Sequence, residues 1–212
     1  MAEDFTTFTE VDPNSRITIT SATRIDYAGI QRNESAYVYK DKGVGYYGGN
    51  YNFYTDVTVT AGHASTSVTV HCMLANALND AYTLSLTESI HAVQINASTT
   101  NISVVIREAV SGTNYTDTSI NLSLSTTYYL DFYRDEAVGT YGTLYCAIYG
   151  SSANRAAKTS ALDTLILTLH ENANFRYLYG FSSSNAGNAN TQTVYNENLV
   201  DLTPIAYLLT CD

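Results

Sequence analysis

Residues 128–149, YYLDFYRDEAVGTYGTLYCAIY, constrain the fold of this chain more than any other stretch. Tyr128, Leu130 and Phe132 alternate with Tyr129, Asp131 and Tyr133. Leu144, Cys146 and Ile148 then alternate with Thr143, Tyr145, Ala147 and Tyr149. Side chains of a strand point to opposite faces in turn, so each run has one oily face and one face of tyrosine and small polar groups. The Gly-containing connection over residues 135–142 closes the two runs into an antiparallel hairpin.

The same alternation recurs along the chain. Strands are expected over residues 16–20, 24–28, 33–40, 51–60, 68–74, 83–86, 92–97, 102–108 and 120–124. After the hairpin they follow over residues 162–170, 175–181 and 199–202. In the 68–74 strand, Val68, Val70, Cys72 and Leu74 read in phase, with Thr69, His71 and Met73 opposite. Residues 151–161, SSANRAAKTSA, have a helical leaning but are short and polar. Strands about every ten to fifteen residues, with no helix-period pattern between them, predict an all-β fold. The expected architecture is an antiparallel two-sheet β-sandwich of about 12–14 strands, because parallel units would require intervening helices. The only prolines, Pro13 and Pro204, lie near the ends, and no linker interrupts the chain. Residues 1–15 are read as an N-terminal arm and residues 16–212 as a single jelly-roll domain.

A chain of 212 residues buries roughly 70% of its unfolded surface and needs no staple. Cys72, Cys146 and Cys211 are odd in number, and two of them fall on core-phase positions, where a thiol behaves as a small hydrophobe. The net charge of −10 comes from only 14% charged residues. The ten basic residues form no patch, which argues against nucleic acid as a partner. Nineteen tyrosines without a tryptophan imply many half-exposed phenols, since a buried hydroxyl needs a partner. The start MAEDFTTFTEVD has no basic residue and no apolar run, and no stretch is oily enough to span a membrane. The expectation is leaderless cytoplasmic synthesis, with the protein then carried on a virion surface or outside the cell. Asn-x-Ser/Thr matches at Asn33, Asn96, Asn101, Asn114 and Asn121 are what so Ser/Thr-rich a chain gives by chance.

The order of strand, YYLDFYRD, turn, TLYCAIYG, polar SSANR and a long Leu/Ile strand resembles the concanavalin A-like lectin/glucanase superfamily in its laminin-G-like branch. NESAYVYKDKGVGYYGGNYNFYTDVTVT and the late FRYLYGFSS and YNENLVDL resemble it too, as they do β-sandwich domains encoded beside phage structural genes. The resemblance implies a jelly roll of two curved sheets carrying ligand on the concave face or in rim loops. It also leaves structural calcium open, with the Asn79-Asp80 turn as the candidate place. No other cofactor is expected.

The glucanases of that superfamily carry E-x-D-x-E or E-x-D-x-x-E on one strand, and this chain has neither. Retaining glycosidases hold two carboxyls about 5–5.5 Å apart. Asp131 and Asp135 would stand roughly 13 Å apart along a strand, and they read as a solvated Asp and a turn Asp. His63, His71, His91 and His170 lack metal spacing and read as partly exposed, and no nucleophile elbow or phosphate loop appears. What remains is the tyrosine face, Tyr129, Asp131, Tyr133, Tyr145 and Tyr149, joined by Tyr177 and Tyr179, as a carbohydrate-binding or interface surface. The resulting expectation is a non-catalytic jelly-roll interaction protein. It would be a virion-surface structural subunit, in capsid decoration or tail association, that packs as a homo-oligomer or against other virion proteins. The alternative is a lectin-like module binding glycan through the tyrosine face, and a polysaccharide-cleaving enzyme ranks third.

Overall fold

The computed structural model describes residues 1–184 and 187–203, so Pro204 and Cys211 lie outside the described residues. The chain forms β1 (Thr9–Val11), β2 (Ile17–Ser21), β3 (Arg24–Gln31), β4 (Tyr37–Asp41), β5 (Tyr51–Ala61) and β6 (Ser67–Ala75). Next come α1 (Ala81–Thr87), β7 (Ile90–Ala97), β8 (Asn101–Val110), β9 (Thr113–Thr118) and β10 (Leu122–Ser123). The series ends with β11 (Thr127–Asp135), β12 (Thr143–Tyr149), α2 (Ser152–Ala157), β13 (Asp163–Thr168), β14 (Tyr177–Ser183) and β15 (Thr191–Asp201). These fifteen strands lie in two antiparallel sheets. A seven-stranded sheet runs β13-β12-β11-β5-β15-β3-β2, and an eight-stranded sheet runs β1-β4-β14-β6-β7-β8-β10 with β9 also on β8. The expected two-sheet antiparallel sandwich is the architecture found.

Between the sheets, Phe53, Phe132, Leu130 and Ile148 meet Leu74, Val93, Ile106 and Phe181. Burying such side chains contributes about 1.5–3 kcal/mol each, which makes this layer the main source of stability. Buried polar bridges cross it as well, one of them through Asn196. Asn196 accepts from the Thr55 hydroxyl of its own sheet and donates to the Gly180 carbonyl of the other. Most buried polar groups are paired in this way.

Residues read as an N-terminal arm pack on the sandwich: β1 pairs with β4, and Phe5 and Phe8 enter the core. Phe5 occupies the room a side chain would take at Gly180, where a Cβ would approach its ring to 2.8 Å. Two other readings need correction. Residues 83–86 are helical, because Asp80 caps α1 through the backbone N–H groups of Tyr82 and Thr83, and Ala81 and Leu84 pack onto the outer face of the eight-stranded sheet. A bulge at Cys72, whose φ is +67°, breaks the phase of β6. It turns His71, Cys72 and Leu74 inward and leaves Val70 and Met73 outward.

The histidines also differ from their reading as partly exposed. His71 lies against Tyr27 and Phe181, and His91 shares a 2.6 Å hydrogen bond with the Tyr51 hydroxyl; both are fully buried. Burial pushes each down to about 3, with the nearby Arg134 charge adding to the effect at His91. Both are therefore neutral in the fold and charge only on unfolding. Stability is full above the ordinary histidine value of 6.5 and falls as pH drops from there towards 3. The two sites together give a slope of about 3 kcal/mol per pH unit. Urea-unfolding midpoints measured against pH should show this slope, and His71→Phe should remove about half of it. A flat profile across that window would contradict the assignment.

Candidate glycan-contacting face

The inward register of Tyr128, Leu130 and Phe132 forces Tyr129, Asp131 and Tyr133 outward, and β12 does the same for Tyr145, Ala147 and Tyr149. All five residues singled out in the sequence therefore share the outer face of the seven-stranded sheet. Cross-strand pairing arranges this face in three rows. The first is Ile166, Tyr145, Tyr133 and Asn52, spanning four strands and so about 14 Å. The second is Thr164, Ala147, Asp131 and Tyr54, and the third Tyr149, Tyr129 and Asp56. Tyr177 and Tyr179 do not join them. They lie on the outer face of the other sheet, packed with Tyr37 and Tyr39 at centroid distances of 5.8–6.0 Å.

The first row is open. The Tyr133 and Tyr145 rings stack at 4.9 Å and 13°, both half-buried, and Ile166 beside them is 54% exposed. Next to Tyr133 a solvent-open cavity of about 380 Å³ is lined by Asn50, Asn52, Asp135, Arg134 and Leu202. Arg134 is buried. It ties the β11–β12 loop to the segment after β13 by donating to the carbonyls of Tyr141 and Ala173 and to Asn172 Oδ1. Asp135 accepts from the Ala137 backbone N–H, as a turn aspartate does. Burial raises the Tyr133 pKa, helped by the negative charge of Asp131 and by Tyr145, so its phenol keeps its proton at neutral pH.

The second and third rows are covered. Strands β12 and β13 are neighbours, yet the chain between them leaves the sheet and lays α2 back across the face. Ser151 caps α2, and Lys158 ends it in the left-handed conformation at φ +54°. From this strap Arg155 reaches down to Asp56 at 2.7 Å and donates to the carbonyls of Thr55 and Leu130. Its guanidinium lies 4.6 Å from the Tyr54 ring centre and 5.5 Å from that of Tyr129. Asp56 also accepts from the Asn198 side chain, at a bulge where Asn198 has φ +52°. Lys158 pairs with Asp131, so Asp131 is not the solvated carboxylate its sequence position suggests; it is 1% exposed. Burial works against the Lys158 charge, but hydrogen bonds to Asp131 and Tyr54 outweigh it and hold the ammonium above the ordinary lysine value.

Nothing on this face is a histidine. His63 accepts from the Ser65 backbone, and His170 pairs through Nδ1 with the buried Glu108 while stacking on Tyr115. The turn considered for calcium is also committed, since both Asp80 oxygens accept hydrogen bonds from the first turn of α1. Asp56, Arg155 and Lys158 escaped the sequence reading. The only signal for them was the helical leaning of SSANRAAKTSA after a tyrosine-faced strand.

No family model matches the chain, and no curated protein matches it. Solved structures do. An alginate lyase from Pseudomonas aeruginosa superposes with a TM-score of 0.58 at 10% identity, covering 91% of this chain and 88% of the lyase. A polysaccharide lyase of family 18 gives 0.56 at 10% identity, with 93% and 94% covered. An alginate lyase solved with alginate trisaccharide gives 0.54 at 13% identity, with 95% and 89% covered. At these identities the likeness is one of fold. It corrects the expectation of a non-catalytic virion-surface subunit. Polysaccharide-cleaving enzymes use this same sandwich.

The strap gives a direct test of how the face is built. Arg155→Ala would leave Asp56 buried beside a single amide donor and should lower stability by about 3 kcal/mol in urea unfolding. It should also raise the exposure of Tyr129 and Tyr149. A change below about 1 kcal/mol would show that α2 does not need this anchor.

Proposed function

We propose that this protein is a polysaccharide-cleaving enzyme that lays its glycan across the strands of the seven-stranded sheet, along the row Ile166, Tyr145, Tyr133 and Asn52. The observation that carries this reading is the stacked Tyr133–Tyr145 pair opening onto the 380 Å³ cavity. Ring faces pack against the apolar faces of sugars, while Asn50 and Asn52 supply donors and acceptors for hydroxyls. The fold shared with an alginate lyase and a polysaccharide lyase of family 18 supports a polysaccharide as the substrate. Breaking a glycosidic C–O bond requires a proton on the departing oxygen, together with either attack of water on the carbon left behind or loss of a proton from the neighbouring ring carbon. Tyr133, a neutral phenol within the row, is the residue assigned to protonate the departing oxygen, and it regains its proton from solvent.

The test is incubation with a panel of neutral, acidic and amino-bearing polysaccharides, following chain shortening together with new reducing ends and new ring double bonds. Tyr133→Phe should keep glycan binding and lose about 100-fold or more in cleavage rate, the usual contribution of a positioned acid. Tyr145→Ala should weaken binding first. Full activity in Tyr133→Phe would remove Tyr133 from the chemistry. An intact panel after prolonged incubation would remove the enzymatic reading.

A further inference from the structure

The charges on this face say which glycan it accepts. Seven of the ten basic side chains, Arg16, Arg24, Lys40, Lys42, Arg155, Lys158 and Arg176, are already in ion pairs with carboxylates. Of the other three, Arg134 donates to carbonyls and an amide, Arg107 donates to Asn114 on the opposite sheet, and Arg32 follows β3, three strands away from β11. A polyanion would thus meet a molecule of net charge −10 with no unpaired cation on this face, whereas a polycation is drawn to it.

The face also shows how it holds a cation, because it holds two. The Arg155 guanidinium sits between the Tyr54 and Tyr129 rings on Asp56, and the Lys158 ammonium lies 4.8 Å from the Tyr54 ring centre on Asp131. These two seats differ. Arg155 is buried and fixed by two backbone carbonyls, but the Lys158 side chain is 47% exposed and held by the carboxylate and a phenol. Lys158 reaches the buried Asp131 carboxylate from the solvent side, so an incoming ammonium that makes the same contact can replace it without leaving that carboxylate unpaired. Asp131 is nearly fully buried and its Oδ1 has no hydrogen-bond donor, so the carboxylate depends on the cation at its other oxygen, where Lys158 sits.

We propose that Asp131 is the seat for a protonated amine on an amino-sugar residue of the glycan, and that Lys158 holds that seat in the unliganded molecule. This rests on the reading of the face as a polysaccharide site and adds the charge class of the residue bound beside Tyr133.

Isothermal titration of the full chain with three oligosaccharides of equal length tests it: a glucosamine oligomer with its amines protonated, its N-acetylated counterpart, and an oligouronate. The glucosamine oligomer should bind about tenfold or more tighter than the acetylated one, the measure of one charge-assisted contact. Added salt should erode that preference. Lys158→Gln, a change at an exposed residue, should tighten glucosamine binding several-fold, and Asp131→Asn should abolish the preference for the glucosamine oligomer over the acetylated one. Should Asp131→Asn fail to fold by circular dichroism, Lys158→Gln decides alone. Equal or tighter oligouronate binding, weaker glucosamine binding in Lys158→Gln, or no binding of any of the three overturns the proposal. Cleavage of the same oligomers separates it from the broader reading. Scission without preference for amines would leave a polysaccharide-cleaving enzyme and discard the Asp131 seat. Amine-selective binding without scission would keep the seat and discard the enzyme.

Discussion

The register of β11 between β5 and β12 governs everything that this molecule presents to solvent on its seven-stranded side. Phe132 lies against Phe53, Leu130 and Ile148 are fully buried, and no neighbouring register could place them there without sending Tyr133 and Asp131 into the same layer. A one-residue slip would exchange the two faces completely. Burial of the inner face thus fixes the tyrosine rows outside to within the pleat of the sheet. The row Ile166, Tyr145, Tyr133 and Asn52 is rigid for the same reason, since each member alternates with a core residue on its own strand.

On that platform a short helix does work out of proportion to its length. Six residues of α2 could not hold a helix in water on propensity alone. The strap is kept in place by Arg155, whose charge is buried but met by Asp56, by two carbonyls and by two tyrosine rings. A buried pair of this kind adds little net stability against an apolar replacement, and breaking it is expensive. Its effect is to specify position: it brings Lys158 over Asp131 and divides the face into a covered half and an open half. The bulge at Asn198 belongs to the same arrangement, because it turns an amide towards Asp56. A backbone in that sparsely populated region, next to a buried charge, is the kind of feature found where a face has a function.

The sequence shows the strands through their alternation, and the hairpin with its five outward residues can be read from YYLDFYRD and TLYCAIY without coordinates. What it hides follows from three physical causes. A single bulge at Cys72 reverses a phase that looks continuous in VTVHCML. The capping carboxylate of Asp80 outweighs the strand propensity of Tyr82 and Thr83. Tyr177 and Tyr179 have the alternation of Tyr145 and Tyr149 and still belong to the other sheet, because period two specifies a face and leaves the choice of sheet open. The partners of Asp131 and Asp56 come from a polar segment distant in sequence, whose role appears only once it folds back over β11 and β5. The absence of a carboxylate triplet was informative about one mechanism and uninformative about catalysis in general, since lyases are built on the same sandwich.

The central claim is that the open row on the seven-stranded sheet is where this protein meets a glycan. The chain offers nineteen tyrosines and no tryptophan, so the phenol rings are the natural reporters. Nuclear magnetic resonance of ring-labelled tyrosine during titration with an oligosaccharide tests the claim most directly. The account predicts saturable shifts that are largest at Tyr133 and Tyr145, with smaller ones at Tyr54 and Tyr149. Shifts centred instead on Tyr37, Tyr39 and Tyr177 of the opposite sheet would contradict it.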